Sequence, residues 1–495
     1  MNKKLISREK LPFSLLWVGS TIILCLVFIA ATVPRVEAQS KDQDIRRYIS
    51  VMQNVFDFIQ RHYVEEVDPK LLYEGAMKGM FDALEDPYSS FLAEADMMDL
   101  NDTTQGSFGG VGLYISKPLA ERPDGRPPYV EVASPIDDTP GWRAGISPGD
   151  LIIEINGEPT DVLTMDEVLT RLRGAPGVEV KLLIRRGEKL EFPVSLVRAI
   201  IEVPTTKYAM IDDIGYLRLI TFTPNTVERA REAVAEFSSK KYKGLILDLR
   251  NNYGGLLQSA VGIGDLFLDG GVVVSTKSRI PTENAVFNAR RNTAVAADIP
   301  VIVLINRGSA SASEIVAGAL KDRGRAYLVG EKSFGKGSVQ QVYPLDKSGF
   351  KITTARYYTP SDVNIDKVGI PPDMEIKFPE FTDDDAEKLN KLIGTNQIPS
   401  FVADNPNASQ ALVAAFVRRL STEYQLDQAL LSRLVRNEQN RTSIAPIYDL
   451  EYDVQLQEAV KILRGGTYGA LMRTTKTLKA LQEEALLEED IPLAS

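Results

Sequence analysis

The spacing of hydrophobic and polar residues changes several times along the 495-residue chain, and each change predicts a different kind of segment. An unbroken apolar run comes first, and residues with helical periodicity follow it. Short alternating runs with glycine turns come next, then buried strands alternating with amphipathic helices, and finally a purely helical region. The sequence therefore predicts a multidomain α/β protein, with predicted boundaries at 1–38, 39–95, 96–200, 201–382 and 383–495.

Residues 1–38 have the pattern of an export signal. Basic residues cluster before residue 11, and residues 15–33 are almost wholly apolar. The sequence Val36-Glu-Ala38 has the small-x-small form of a signal-peptidase cleavage site. The apolar run is also about long enough to span a bilayer, so a cleaved signal peptide and an uncleaved anchor both stay open. Positive charge before the run predicts that the remaining chain is exported.

The segments at the two ends of the mature chain are predicted to be helical. Residues 39–95 contain two apolar faces at helical spacing, one of them formed by Ile49, Met52 and Ile59. We interpret these faces as core or dimer-forming surfaces, which leaves a homodimer open. The C-terminal region has amphipathic stretches at 408–419, 426–436, 454–463 and 469–486.

Residues 96–200 combine glycine turns, short strands and one amphipathic helix. The glycine-rich turn at 108–115 precedes a strand, and the run from Trp142 to Gly157 reads as a turn, a strand and a second turn. A helix at 162–172 and a closing strand at 178–184 follow. This order resembles a PDZ domain. The resemblance implies that backbone N–H groups of the glycine-rich loop bind a peptide's terminal carboxylate while the peptide adds as a strand; the residues implied are Gly109, Gly110, Val111, Gly112 and Leu113.

Residues 201–382 are predicted to form an α/β core with a mostly parallel sheet, because apolar runs rich in β-branched residues alternate with helical patterns. One of these runs, 300–305, leads into Asn306-Arg-Gly-Ser-Ala-Ser-Ala-Ser-Glu314 and then into a helix. A serine at such a turn could attack a carbonyl while a neighbouring N–H receives the oxyanion. Ser309 and Ser313 are more simply interpreted as helix caps; Ser311 is the candidate nucleophile.

The amino-acid composition limits the binding partners and the catalytic groups that this chain can use. A net charge of −10 argues against a nucleic-acid partner. Cys25 is the only cysteine and His62 the only histidine, which excludes a disulfide framework and a zinc site with His or Cys ligands. No metal or cofactor is expected. Because His62 lies in a helical stretch far from the serine-rich turn, the general base is expected to be another residue.

Lysine is the remaining base of useful strength, provided that burial lowers its pKa from the reference value of about 10.4. Lys336, at a glycine-flanked turn between two strands, is the candidate, and Lys332 is the competitor with a more solvated setting. The sequence from Gly330 to Lys336 also fits a phosphate-binding loop. That interpretation fails because Gly337 stands where Ser or Thr is required and a strand pattern follows.

Several motifs in order resemble the carboxyl-terminal processing proteases, also called tail-specific proteases. They are Leu249-Arg-Asn-Asn-x-Gly-Gly, Gly308-Ser-Ala-Ser-Ala-Ser-Glu-Ile, Asp322-Arg-Gly-Arg-Ala, Gly335-Lys-Gly-Ser-Val-Gln340 and Tyr357-Tyr-Thr-Pro-Ser361. The resemblance implies a serine peptidase with a Ser–Lys dyad, a ClpP/crotonase-like core and an inserted PDZ domain. It assigns the nucleophile to Ser311, the base to Lys336, the residue that orients the base to Gln340, and the oxyanion hole to Ala312, Gly254 and Gly255. The chain departs from the family pattern at Tyr253, often proline, and at Asp362, often glycine.

The sequence therefore predicts an exported serine endopeptidase that recognises protein C-termini, located in the bacterial periplasm or cell envelope and bound to the inner membrane if the anchor is retained. Arg173, at the end of the PDZ helix, is predicted to couple ligand binding to the core. Two alternatives stay open: a PDZ-based peptide-binding scaffold with a catalytically silent core, and a crotonase-like acyl-CoA enzyme. The second shares the core but neither the PDZ domain nor the export signal.

Overall fold

The computed structural model describes residues 43–117, 127–136, 138–187, 190–377, 382–440 and 447–489. The predicted signal peptide or anchor therefore lies outside the described residues. The chain divides into two units between Phe91 and Leu92. Among the described helices, none has the length and apolar character needed to cross a membrane.

The elements are numbered in chain order. The helices are α1 (43–62), α2 (Pro69–Asp82), α3 (Glu94–Gln105), α4 (Pro140–Arg143), α5 (Met165–Leu172), α6 (Thr226–Ser239), α7 (Leu257–Phe267), α8 (Ala312–Asp322), α9 (Asp383–Gly394), α10 (Gln397–Asp404), α11 (Gln410–Tyr424), α12 (Gln428–Asn440), α13 (Val454–Arg464), α14 (Tyr468–Met472) and α15 (Leu478–Glu489). The strands are β1 (Ser90–Leu92), β2 (Ser107–Gly110), β3 (Leu113–Ser116), β4 (Val130–Pro135), β5 (Leu151–Ile155), β6 (Glu158–Pro159), β7 (Glu179–Arg186), β8 (Leu190–Val197), β9 (Ala199–Glu202), β10 (Thr206–Ile211), β11 (Ile214–Leu219), β12 (Gly244–Asp248), β13 (Gly271–Ser278), β14 (Ala285–Ala289), β15 (Val301–Ile305), β16 (Tyr327–Gly330), β17 (Ser338–Leu345), β18 (Ser348–Tyr358) and β19 (Met374–Glu375).

The first unit contains the two predicted N-terminal helices. The side chain of Asp68 caps α2, and Pro69 occupies its first turn, where no N–H is needed. On the predicted apolar face of α1, Ile49 and Met52 are exposed and Ile59 is half-buried. The ring of His62 packs against that of Phe58, one turn earlier, at an angle of 39°, with centroids 4.4 Å apart.

The predicted PDZ region contains a sheet in the order β3-β4-β5-β7-β8. Helix α5 begins at Met165, later than the predicted 162, because Thr164 and Glu167 form a capping box. The apolar face of α5 carries Val168 and Leu172, which belong to the same buried cluster as strand residues of the sheet. The interior of this region is thus built from one helix packed on one sheet.

The core sheet has the order β10-β11-β12-β15-β16-β19 and is parallel except between β10 and β11. The predicted mostly parallel sheet is confirmed. Alternate residues of one strand face two different apolar clusters: Leu245 and Leu247 pack with α6, α7 and α8, whereas Ile246 packs with α13. Burial on both faces explains why the strands read as continuous apolar runs.

The C-terminal region is helical, as predicted, and part of it completes the core. Helix α13 covers the second face of the core sheet through Leu456 and Val460. Helices α9 to α12 share a separate apolar cluster. The predicted single helix at 469–486 is wrong: α14 and α15 are separated by residues 473–477, three of which are threonines with low helix propensity. Asp322 accepts a hydrogen bond from the amide N–H of Leu478 at the start of α15 (2.7 Å).

Candidate active site

The serine-rich turn connects the fully buried strand β15 to helix α8. The side chain of Asn306 organises its first part, because Asn306 Oδ1 accepts hydrogen bonds from the N–H groups of Asn251 (2.9 Å) and Gly308 (3.0 Å). Asn306 Nδ2 donates back to Asn251 Oδ1 at 2.9 Å. The turn is therefore joined to the chain segment that follows the neighbouring parallel strand β12.

Ser311 is the residue at which the turn becomes a helix. It is the N-cap of α8, with φ 54° and ψ −113°, and only 7% of its surface is exposed. A positive φ is uncommon for a residue other than glycine and is concentrated at functional sites. The next residue, Ala312, is the first of the helix, so its amide N–H has no carbonyl partner inside the helix. The predicted nucleophile and the predicted oxyanion donor thus occupy consecutive positions.

The two flanking serines have a different role from Ser311. Both are fully buried. The hydroxyl of Ser309 donates to the carbonyl oxygen of Leu249, and that of Ser313 donates to the carbonyl oxygen of Asn252, each at 2.8 Å. The prediction that Ser309 and Ser313 are helix caps is therefore wrong, since the N-cap of α8 is Ser311. They join the nucleophile turn to the segment before Gly254.

The glycine turn lies directly against Ser311, the predicted nucleophile. A β-carbon at Gly254 would be 2.8 Å from Cβ of Ser311 and 2.9 Å from the amide nitrogen of Ala312. Gly254 and Gly255 both have positive φ, 103° and 140°. The N–H of Gly254 donates to Asn252 Oδ1 (2.9 Å), so it is already engaged inside the protein. Of the two glycines in the predicted oxyanion hole, Gly255 is the one for which no such acceptor is found among the described residues.

Lys336 is brought to the nucleophile turn by the side chain of Glu314, a fully buried residue of α8. Glu314 Oε2 accepts hydrogen bonds from the amide N–H groups of Ser311 (2.9 Å) and Lys336 (2.8 Å). Glu314 Oε1 accepts from the hydroxyl of Ser333 (2.6 Å) and the N–H of Gly335 (2.7 Å). One carboxylate thus binds the backbone of both predicted dyad residues. Lys336 itself is half-buried, and the competing Lys332 is exposed.

Glu314 is a residue of the site that the sequence reasoning missed. Burial raises the pKa of Glu314, and the hydrogen bonds from Ser333, Lys336, Gly335 and Ser311 oppose that effect. A local signal was present, since Ser311-x-x-Glu314 has the spacing of a capping box, in which the third helical residue reaches back to the N-cap amide. Nothing local indicated that the same side chain also binds residues 333–336.

Gln340 and Tyr357 are two further polar side chains of this part of the core. Gln340 lies in β17, next to an irregularity in its pairing with β18, and its Nε2 donates to Ser338 Oγ (2.9 Å) and Thr353 Oγ1 (3.2 Å). Its carbonyl oxygen is thereby directed away from these two hydroxyls. Burial raises the pKa of Tyr357 to about 12, an effect that the nearby side chain of Ser311 opposes.

A buried ion-pair network lies behind the glycine turn. Arg250 donates to Asp248 through Nε (2.9 Å) and to both carboxylate oxygens of Asp453, before α13, at 2.8 and 2.7 Å. Burial by itself raises the pKa of Asp248, but the Arg250 guanidinium outweighs it and holds that pKa below its usual value. The network fastens the C-terminal region to the core. Across the described ranges, no three His, Cys, Asp or Glu side chains converge as metal ligands.

The predicted peptide-binding residues fall into two structural classes. Gly109 and Gly110 lie in strand β2, not in a loop, because they pair with Ile200 and Ala199 of β9. Val111 and Gly112 form the connection to β3, which begins at Leu113. Gly112 has φ 75°, and a β-carbon there would lie 2.2 Å from Cβ of Thr139, so only glycine fits.

Arg173 is the C-cap of α5, and its guanidinium carbon lies 5.0 Å from the ring centroid of Phe108 in β2. The amide N–H of the next residue, Gly174, donates to the carbonyl oxygen of Gly109 at 3.0 Å. Arg173 is thereby placed beside the strand that leads into the predicted carboxylate-binding connection. Its predicted coupling to the core stays a prediction.

Comparison with known proteins agrees with the geometry. The model for Peptidase family S41 matches residues 213–376, that for the PDZ domain matches 131–186, and that for the activating protease CtpB N-terminal domain matches 29–96. The carboxy-terminal-processing protease of Bartonella bacilliformis is 36% identical over 450 residues, covering 89% of this chain and 94% of that protein. The carboxy-terminal processing protease CtpA of Bacillus subtilis is 31% identical over 386 residues, covering 77% of this chain and 79% of that protein.

Among solved structures, the photosystem II D1 C-terminal processing protease matches at 30% identity, with 66% of this chain and 92% of that chain covered and a TM-score of 0.40. The family matches and the close relatives confirm the predicted fold class, a PDZ domain with an α/β peptidase core and helical terminal regions, and they exclude the crotonase-like enzyme as the family of this chain. The chain belongs to the carboxyl-terminal processing proteases, serine-type peptidases of family S41 that carry a PDZ domain.

Proposed function

We propose that this protein is an exported serine endopeptidase that recognises the C-termini of protein substrates and cleaves them with a Ser311–Lys336 dyad. The observation that supports the dyad is the position of Ser311 at the start of α8, with its backbone linked to that of Lys336 through Glu314. A hydroxyl at the mouth of a helix and a lysine on the segment beside it are the two groups that this chemistry needs.

In the first half of the reaction, the neutral amine of Lys336 takes the proton of Ser311 as Oγ bonds to the scissile carbonyl carbon. The N–H groups of Ala312 and Gly255 receive the oxyanion. The ammonium of Lys336 then protonates the leaving amine, and an acyl-enzyme on Ser311 remains. In the second half, Lys336 deprotonates a water that attacks the ester, which releases the new C-terminal carboxylate and restores Ser311. Gln340 orients Lys336 throughout.

These steps supply rate enhancements of ordinary size. Positioned proton transfer contributes roughly 10²–10⁴-fold, and each oxyanion donor contributes roughly 10²–10³-fold. The amine of Lys336 must lose its charge for this role, which is favoured by desolvation when a substrate covers the site. Its segment is already partly shielded, because Gly335 and Gly337 on either side are buried.

The PDZ domain is proposed to capture the substrate's terminal carboxylate on backbone N–H groups of the connection between β2 and β3, with the peptide adding as a strand. Gly112 supports this assignment, since its positive φ and close packing against Thr139 shape the connection. Arg173, beside β2, is proposed to transmit peptide binding to the core. A substrate with a free C-terminus should therefore be cleaved faster than the same substrate with a C-terminal amide.

Export is proposed from the basic and apolar pattern of residues 1–38. The protein would act in the bacterial periplasm or cell envelope, and it would stay at the inner membrane if the apolar run is retained as an anchor. Cell fractionation with N-terminal sequencing of the mature protein tests both statements. Recovery of the full chain in the cytoplasm would contradict export.

The decisive experiment on the chemistry compares the wild type with Ser311→Ala and Lys336→Ala. Each variant should lose cleavage of a peptide with a free C-terminus and lose labelling by a fluorophosphonate probe, while its thermal unfolding stays close to that of the wild type. Equal activity of Lys336→Ala and the wild type would contradict the dyad. Binding of tail peptides by a wild type that neither cleaves nor labels would favour a peptide-binding scaffold.

A further inference from the structure

We propose that Glu314 is a positioning residue of the proposed reaction, and that its carboxylate sets the place of the Lys336 backbone relative to the Ser311 backbone. This inference rests on the proposed function, since it concerns the alignment of that dyad. Glu314 does not act on the substrate. It acts through the two residues that do.

The hydrogen bonds of Glu314 require an acceptor at both oxygens. Three of the four donors are backbone N–H groups, and the fourth is the hydroxyl of Ser333. The Ser333 hydroxyl also accepts from the N–H of Ile370 at 2.6 Å, so its own proton is committed to Glu314. A carboxylate satisfies four donors. A carboxamide of the same size would turn its NH₂ group toward two of them.

Glu314 joins the segment of the predicted base, 333–337, to the serine-rich turn, 306–314. Within 333–337, the N–H of Phe334 donates to the carbonyl oxygen of Ser309 at 3.0 Å. Three further hydrogen bonds, from the hydroxyl of Ser333 and the N–H groups of Gly335 and Lys336, end on Glu314. Glu314 lies on a buried helix, so it is a rigid support. Removing it would leave the segment bonded to residues 357–370 but would break its three links to the helix that follows Ser311.

A misplacement of about 1 Å in a reacting pair can cost roughly 10²-fold in rate. Glu314→Gln should therefore lower kcat by about 100-fold for a fluorogenic peptide with a free C-terminus, with KM within about twofold of the wild type. The rate of fluorophosphonate labelling of Ser311 should fall to a similar extent. A role in stability alone would not separate kcat from KM in this way.

The same helix provides a matched control. Asp322, at the other end of α8, also accepts hydrogen bonds from two backbone N–H groups, those of Ser361 (3.0 Å) and Leu478 (2.7 Å), and from the Ser361 hydroxyl (2.6 Å). It lies eight positions from Glu314, about 12 Å along the helix. Asp322→Asn should lower the thermal midpoint and leave kcat and the labelling rate within about threefold of the wild type.

If Glu314→Gln fails to fold, Ser333→Ala provides a second test of the positioning role. It removes one of the four donors and should lower kcat by about tenfold. Glu314→Gln with kcat near the wild type, or with a loss no larger than that of Asp322→Asn, would overturn the positioning role. If Glu314→Gln cannot be measured, an unchanged kcat in Ser333→Ala would also overturn the positioning role. A wild type no more active than Ser311→Ala would instead refute the proposed function.

Discussion

The backbone of Gly254 lies so close to Ser311 that a β-carbon on Gly254 would be 2.8 Å from Cβ of Ser311. Real β-carbons do not approach other atoms to that distance, and φ at this position is 103°, which side chains rarely adopt. The two residues lie 57 positions apart in the chain and meet because they follow neighbouring parallel strands, β12 and β15. Glycine is therefore required at position 254 because of its contact with Ser311, not because of the conformation of strand β12.

Gly254→Ala should abolish most of the activity. The substitution forces Ser311 and Ala312 to move, which misplaces the nucleophile and an oxyanion donor, so we expect a fall in kcat of at least about 10²-fold. Steady-state cleavage of a free-C-terminus peptide measures it. Gly324→Ala is the control, because Gly324 also has positive φ, 60°, but an added β-carbon there meets nothing within 4 Å. It should cost about 1 kcal/mol of stability without loss of activity. Equal effects of the two variants would show that backbone strain alone is responsible.

The three serines of the turn should separate activity from stability. Ser313→Ala removes one of the two hydrogen bonds that the carbonyl oxygen of Asn252 accepts, the other coming from the N–H of Ala310 (3.0 Å), so we expect a loss of about 0.5–1.5 kcal/mol in the free energy of unfolding. Ser311→Ala should abolish cleavage, and its effect on the free energy of unfolding should stay within about 0.5–2 kcal/mol, the usual cost of replacing an N-cap serine. Urea denaturation and peptide cleavage measure the two effects. A Ser313→Ala protein as stable as the wild type would contradict the structural role.

Gln340→Glu should shift the pH dependence of cleavage. A carboxylate in place of the amide favours the charged ammonium of Lys336, so the base would become neutral only at higher pH. The acidic limb of the kcat/KM profile should therefore move upward in pH. The hydrogen bonds to Ser338 and Thr353 make Gln340→Leu a useful comparison, since it removes them without adding charge. A profile unchanged in Gln340→Glu would remove Gln340 from the vicinity of the base.

The Asp248–Arg250–Asp453 network should make the free energy of unfolding depend on pH in the acidic range. Arg250 holds the pKa of Asp248 below its usual value against the effect of burial, so folding favours the ionised carboxylate. Its contribution is present above the unfolded-state pKa, about 3.9, and is lost as the pH falls below it. The stability difference between the wild type and Asp248→Asn should therefore be largest near pH 7 and shrink on acidification. Urea denaturation at several pH values measures it, and a difference that grows in acid would contradict the assignment.

Sequence reasoning reached the parts of the site that local patterns encode. The strand-to-helix change around Ser311, the glycine pair at 254–255 and the lysine of the motif ending at Gln340 are each carried by neighbouring residues, so they could be read in order. It missed Glu314 as the link to Lys336, since that contact joins residues 22 positions apart. It also assigned Ser309 and Ser313 to helix capping, whereas their hydroxyls bond to the backbone about 60 residues away.

The sequence by itself determined the family, the succession of domains expected along the chain, and the residue types available for chemistry. With Cys25 and His62 as the only residues of their kinds, the base had to be sought elsewhere. Only the tertiary structure decided which side chains hold those groups together, and that α13 of the C-terminal region covers the core sheet. The reason is physical: periodicity and turn chemistry act over a few residues, whereas strand pairing and the packing of buried helices bring distant segments into contact.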